Sequence, residues 1–270
     1  MPGVVRIFGV GRVTALANQK GGVAKTTSTL SLGVGLAELG RRVLLIDLDP
    51  QASLTYSVGL DPDRLDVSLH DVFVRRTPAE NVLQHVRHLD IIPSTIDLAG
   101  SEVHLLTRTG REHALKRALT GIRENYDNIL LDLPPSLGVL TINGLTAADD
   151  LLIPVACETL SHRGVGQLLE TVDDVRAFAN PHLIVRGIIV TLFDDRTRHA
   201  REIYEDLPTR YGLPVLSPPV RKSIRFAEAP SLGQSVLDHS PTSAGAEAYR
   251  QIARQIAAFD PDIELKGNNG

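Results

Sequence analysis

A single cysteine, Cys157, in 270 residues excludes an internal disulfide. It sits in an apolar run, where a lone thiol serves as a small core residue. Nowhere do 18 apolar residues follow one another, so no membrane-spanning helix is expected. Residues 1–12 carry two arginines but no apolar segment of signal-peptide length, and the expected compartment is the cytoplasm. Charge of one sign is not in large excess: 28 Lys and Arg against 32 Asp and Glu leave a net charge of −4. That balance argues against a uniformly basic DNA-coating protein. It leaves room for a local basic face, because phosphate contacts depend on local charge. The nine histidines show no metal-ligand spacing, and the chain has neither an internal repeat nor a long linker. What is present is ordinary globular composition, 43% hydrophobic and 22% charged, in enough length for one large α/β domain or two small ones.

Short apolar runs rich in Leu, Ile and Val alternate with helical patterns along the chain. Strands are expected at Val13–Ala17, Arg42–Ile46, Leu89–Ile92, Asn128–Leu131, Leu151–Val155, Leu183–Val190 and Pro214–Leu216. Helices are expected at Thr26–Leu39, Asp97–Asn125 (two, broken near Gly110), Leu137–Ala147, Gly164–Ala179, Arg198–Tyr211 and Ala244–Ala258. Continuous apolar strands interleaved with amphipathic helices are the sequence form of a doubly wound, mostly parallel sheet covered on both faces. The chain therefore reads as an N-terminal extension (1–12), one α/β domain (13–259) and a polar, frayed tail (260–270).

Between the first strand and the first helix stands Asn18-Gln-Lys-Gly-Gly-Val-Ala-Lys-Thr-Thr27. Backbone N–H groups of such a Gly-rich turn can curl around phosphate oxygens, and the helix N-terminus adds its positive dipole end. Lys25 can reach β/γ oxygens, and the Thr26 hydroxyl can ligate Mg²⁺. The strict G-x-x-x-x-G-K-[ST] spacing is not met, since Gln19 and Ala24 stand where glycines belong. Ala24 adds only a methyl group, which matters where the backbone nears a phosphate or needs φ > 0; it reads as tolerated. Lys20 precedes the loop, too early to share the phosphates of Lys25. It is either a lysine that crosses a subunit interface or a solvated surface residue.

Two later strands end in carboxylates. Asp47 and Asp49, in Leu44-Leu-Ile-Asp-Leu-Asp-Pro-Gln51, fall on one side of the chain before Pro50 ends the run. One can order magnesium's water shell while the other orients an attacking water; turn chemistry or helix capping is the structural alternative. Asp132, at the end of Asn128-Ile-Leu-Leu-Asp-Leu-Pro-Pro-Ser136, has the placement of a carboxylate that holds Mg²⁺ through water.

The string Lys20–Thr27 resembles the deviant Walker A motif of the ParA/MinD ATPase family, in which a signature lysine acts in trans within a nucleotide-sandwich dimer. Asp47-Leu-Asp-Pro-Gln51 is similar to the family's D-x-D-P-Q segment, and Asp132-Leu-Pro-Pro135 to its D-x-P-P segment. Ile92–Gly100, Pro154–Glu158, Phe226–Gly233 and Pro241–Tyr249 look like the partition branch, ParA/Soj, rather than the septum-positioning branch. The lone cysteine excludes the iron–sulfur relatives that share the loop, and Thr159–Arg163 departs from the branch's pattern.

The resemblance implies ATP and Mg²⁺ as cofactors. Lys20, Lys25 and Asp49 would be catalytic, with nucleotide held by Lys20, Gly21, Gly22, Val23, Ala24, Lys25, Thr26 and Thr27. Metal would be held by Thr26 and, through water, Asp132, with Asp47 in support. It further implies an ATP-dependent homodimer that binds nonspecific double-stranded DNA through Arg196, Arg221, Lys222 and Arg225. A ParB/Spo0J-like centromere-binding partner would speed an otherwise slow hydrolysis, placing the protein on the nucleoid, with no membrane role. The same arginines could instead cap helices or pair with Asp194, Asp195, Glu202 and Glu228. Two other readings stay open: an ATPase that positions non-DNA cargo on a protein or membrane scaffold, and a nucleotide-gated module with negligible turnover.

Overall fold

The computed structural model describes residues 11–157 and 161–259, without the side chains of residues 161–163. Eight strands form one sheet: β1 (Arg12–Leu16), β2 (Val43–Asp47), β3 (Gln84–Val86), β4 (Leu89–Ile92), β5 (Asn128–Asp132), β6 (Asp150–Ala156), β7 (Ile184–Thr191) and β8 (Val215–Leu216). Their order is β3-β4-β2-β5-β1-β6-β7-β8, and every neighbouring pair is parallel except β3 with β4. The helices are α1 (Lys25–Glu38), α2 (Ser53–Ser57), α3 (Leu69–Val74), α4 (Leu98–Leu106), α5 (Ala114–Leu119), α6 (Val139–Ala147), α7 (Ser161–Phe178), α8 (Arg198–Tyr211), α9 (Arg225–Ser231), α10 (Val236–His239) and α11 (Ala244–Ala257). This is the doubly wound, mostly parallel sheet expected from the alternation of patterns.

Strand periodicity sorts the core into two layers. Val13 and Ala15 of β1, Leu44 and Ile46 of β2, and Ile129 and Leu131 of β5 face one cluster, with Leu105 of α4, Leu140 of α6 and Ile203 of α8. Leu16, Leu45 and Leu130 face the other, with Leu36 of α1 and Ile252 of α11. Because both faces are covered, the central strands are mostly apolar between their polar ends. Helix α1 lies close on α11, where a Cβ at Gly35 would sit 2.9 Å from the Ala253 methyl carbon. The Ser28 hydroxyl and the buried Tyr249 hydroxyl hydrogen-bond across this contact at 2.9 Å.

Most boundaries moved by a residue or two, but α7 starts at Ser161 rather than Gly164 and α5 ends at Leu119 rather than Asn125. The first strand begins at Arg12, inside the expected N-terminal extension. The break near Gly110 is real: Gly110 has φ 65° and separates α4 from α5. Strand β3 and helices α2 and α3 add elements that the sequence patterns did not suggest. The remainder of the extension, the tail 260–270 and part of Thr159–Arg163 lie outside the described residues. Among the described residues, no helix is long and apolar enough to cross a membrane.

Candidate active site

Parallel strands bring their carboxyl ends to one edge of the sheet, and three central strands there carry the chemistry. In register, Leu16 of β1 lies beside Asp132 of β5, which in turn lies beside Asp47 of β2. The loop leaving β1 is fixed at its start by Asn18. Its side-chain amide donates to the Pro154 carbonyl (2.7 Å) and its Oδ1 accepts from the Lys20 amide (2.9 Å). Lys20 is half-buried there, packed near Gly164 of α7. The loop is also held from below, where the Thr191 hydroxyl at the end of β7 donates to the Val23 carbonyl (2.9 Å).

Ala24 stands at the N-cap of α1 with φ 59° and ψ 36°, in the left-handed region. It offers no side-chain cap, and the first turn carries no acid. Among the described residues, the leading N–H groups of α1 thus meet no side-chain cap, and Gly21 and Gly22 have nothing within 4 Å of an added Cβ. An uncapped helix start behind an open glycine turn is a cradle for anionic oxygens. Thr27 is half-buried on the first turn.

Lys25 is buried beside this cradle; desolvation lowers its ammonium pKa, opposed by the charges of Asp132 and Asp49. Thr26 donates its hydroxyl to Asp132 Oδ2 (2.7 Å), and Thr29 donates to Oδ1 (3.2 Å). Burial is the main cause that pushes the Asp132 carboxyl up to about 6. The donor set is two hydroxyls, one deep carboxylate and an open cradle. It suits a hard cation that keeps most of its waters and bridges to phosphate, which is the habit of Mg²⁺.

Asp47 is fully buried and occupied. Its Oδ2 accepts from the Thr55 amide (2.9 Å) and hydroxyl (2.8 Å), and its Oδ1 from the Asp49 amide (3.1 Å). Burial, and then the neighbouring Asp132 charge, push its carboxyl up to about 7. Asp47 thereby ties α2 and the Asp49 loop to the sheet. Asp49 itself is half-buried; its Oδ1 takes the Gln51 amide (3.0 Å) and its carbonyl the Ser94 hydroxyl (2.8 Å). Glu102 on α4 also borders the cleft, its carboxyl raised by burial and by the charge of Asp49. Thr29, Thr55, Glu102 and Thr191 carry no motif signal, and Asn18 and Ser94 stand inside the motif strings without a role of their own there; only tertiary contact identifies them.

The three arginines and Lys222 expected at DNA gather on the loops after β7 and β8 and at the first residue of α9, and the two loops touch at a bridge between Phe193 and Arg221. All four side chains are exposed, and three face acids. Arg196 pairs with Asp194 (2.8 Å), Arg221 with Asp195 (2.6 Å) and Arg225 with Glu228 (2.9 Å). Asp194 is held down to about 2, mainly by hydrogen bonds from Arg196, with a smaller effect of the Lys222 charge.

Comparison with known proteins agrees with this geometry. The model of an AAA-domain family matches residues 11–185. The sporulation initiation inhibitor protein Soj of Bacillus subtilis is 40% identical over 251 residues, which cover 92% of this chain and 99% of that protein. The chromosome partitioning protein ParA of Caulobacter vibrioides is 38% identical over 259 residues, covering 94% and 97%. A Mycobacterium smegmatis protein named cobyrinic acid a,c-diamide synthase, solved with an ATP analogue and magnesium, is 48% identical. It aligns with a TM-score of 0.84 over 93% of this chain and 96% of that one. On its loop, its carboxylate-tipped strands and these relatives together, the chain belongs to the ParA/Soj family of P-loop ATPases.

Proposed function

We propose that this protein is an ATP-dependent DNA partition ATPase. The observation that carries the reading is the uncapped start of α1 beside Thr26 and Asp132, with Asp49 held on a loop anchored by Asp47. The open turn Gly21–Thr27 binds the triphosphate, and Lys25 neutralises its β/γ oxygens. Thr26, with Asp132 behind water, would hold Mg²⁺, which when bound neutralises charge on the phosphates. Asp49 orients the attacking water; a loose phosphoryl-transfer transition state needs positioning more than a strong base. Lys20 stands outside the cradle and reaches a second copy's nucleotide, so ATP closes a homodimer. A charge supplied in trans can raise phosphoryl-transfer rates by roughly 10³–10⁵.

The dimer doubles the basic edge. Exposed ion pairs such as Arg196–Asp194 contribute little to stability, so they exchange readily for phosphate contacts once two edges lie side by side. Such contacts carry little sequence information and weaken with salt. A ParB/Spo0J-like partner then stimulates hydrolysis and releases the DNA, and the protein works in the cytoplasm on the nucleoid.

The name of the M. smegmatis relative raises a second reading, ATP-dependent amidation. Nitrogen delivered from glutamine needs a nucleophilic thiolate. The chain's one cysteine, Cys157, is buried and its thiol is pushed up to about 11. That chemistry finds no nucleophile here, and the partition reading is preferred.

The test is binding to a random-sequence DNA duplex across a salt series with ATP, ADP or no nucleotide. Binding that requires ATP and falls steeply with salt is expected. ATP binding without any DNA binding would overturn the partition reading in favour of a scaffold-positioning ATPase.

A further inference from the structure

Far from the nucleotide cradle in sequence, α3, the turn at 79–82 and α5 enclose an open groove of about 720 Å³. Its size falls in the ~300–1,000 Å³ range of ligand-sized clefts. The accessible apolar floor is formed by Pro78, Ala114 and Ala118, laid over the buried core side chains of Val72, Phe73 and Ala79. The rim holds three arginines, Arg76, Arg108 and Arg117, against one acid, Glu80.

These arginines differ from those of the DNA edge in what they touch. Arg108 donates to the carbonyls of Phe73 (2.9 Å) and Val74 (3.3 Å), closing the C-terminal end of α3. Arg117 donates to the Gly110 carbonyl (3.1 Å). Carbonyls orient a guanidinium without cancelling its charge, so the rim stays positive on a chain whose net charge is −4. Arg76 follows α3 at φ 58°, a position where glycine is the low-energy choice. Its backbone is held in the left-handed region while an exposed guanidinium borders the groove.

We propose that this groove is a docking site for an acidic amphipathic peptide segment of a partner protein. Its apolar side chains would settle on Pro78, Ala114 and Ala118 while its carboxylates meet Arg76, Arg108 and Arg117. A nucleic-acid backbone fits less well, because phosphates and sugars offer nothing to an apolar floor. The site is independent of the DNA edge and of the ATP cycle proposed above.

The test uses the full chain and a fluorescein-labelled decapeptide of alternating glutamate and leucine, read by anisotropy. A glutamate-only decapeptide and a duplex oligonucleotide serve as competitors. Binding should weaken with salt, and Arg76→Glu with Arg117→Glu should reduce affinity by roughly a hundredfold, about tenfold per reversed rim charge. Both residues are exposed, and an unchanged thermal midpoint confirms folding; Arg76→Ala with Arg117→Ala replaces the pair should the reversal unfold the protein. Equal affinity for wild type and variant, or no binding, overturns the proposal. Equal binding of the glutamate-only peptide removes the role of the floor and also overturns it. Competition by the duplex that disappears in the variant reassigns the groove to nucleic acid.

Discussion

Ala24 occupies a backbone conformation that favours glycine, at the point where the phosphate loop becomes α1. An L-residue there carries a cost of about 1–2 kcal/mol, partly offset because alanine restricts the unfolded chain. Ala24→Gly is therefore expected to stabilise the nucleotide-free protein by about 0.5–1 kcal/mol. Urea unfolding measures it, and an unchanged or lower midpoint would refute the strain. The residues that the fold brings together at the proposed site were legible from their spacing along the chain: Lys25 and Thr26 after a glycine turn, Asp49 and Asp132 at the ends of apolar runs. Alanine at position 24 was visible as a departure, but its φ was not. Thr191 and Val23 meet across 168 positions of sequence, a distance over which no local pattern speaks.

At the scale of elements, β7 joins the two proposed sites. Its last residue, Thr191, holds the Val23 carbonyl of the nucleotide loop, and two residues later Phe193 bridges to Arg221. Thr191→Val keeps the shape and removes the hydrogen bond, a loss of about 1 kcal/mol. Weakening of ATP affinity by up to about tenfold is expected from isothermal titration; unchanged affinity would show that the loop stands without this tie. The parallel strands were readable because a strand buried on both faces must be mostly apolar. Strand β3 was not: it has three residues, two of them polar (Gln84 and His85), none buried, at the sheet's rim. Helix α3 spans six residues, too short for periodicity, and depends on the capping box of Ser68 and Asp71.

Across the whole molecule, two adjacent strand ends bury carboxylates that the unfolded chain would expose. Asp47 rises to about 7 and Asp132 to about 6, from 3.8. A raised carboxylate favours the folded state below the unfolded value and loses that contribution as pH climbs through the folded one. The thermal midpoint of the nucleotide-free protein should thus fall between about pH 4 and about pH 7, and Asp47→Asn should flatten that fall. A midpoint that rises over this window in the wild type would contradict the buried-acid account. The strand order bears on biosynthesis as well. Strand β1 lies between β5 and β6, so the sheet's first strand in chain order finds its neighbours only after residues 128–156 have been made. Until then the glycine turn has no platform, and the nascent chain must keep an apolar strand unpaired. Folding should be slow and late, with a period of chaperone dependence during translation.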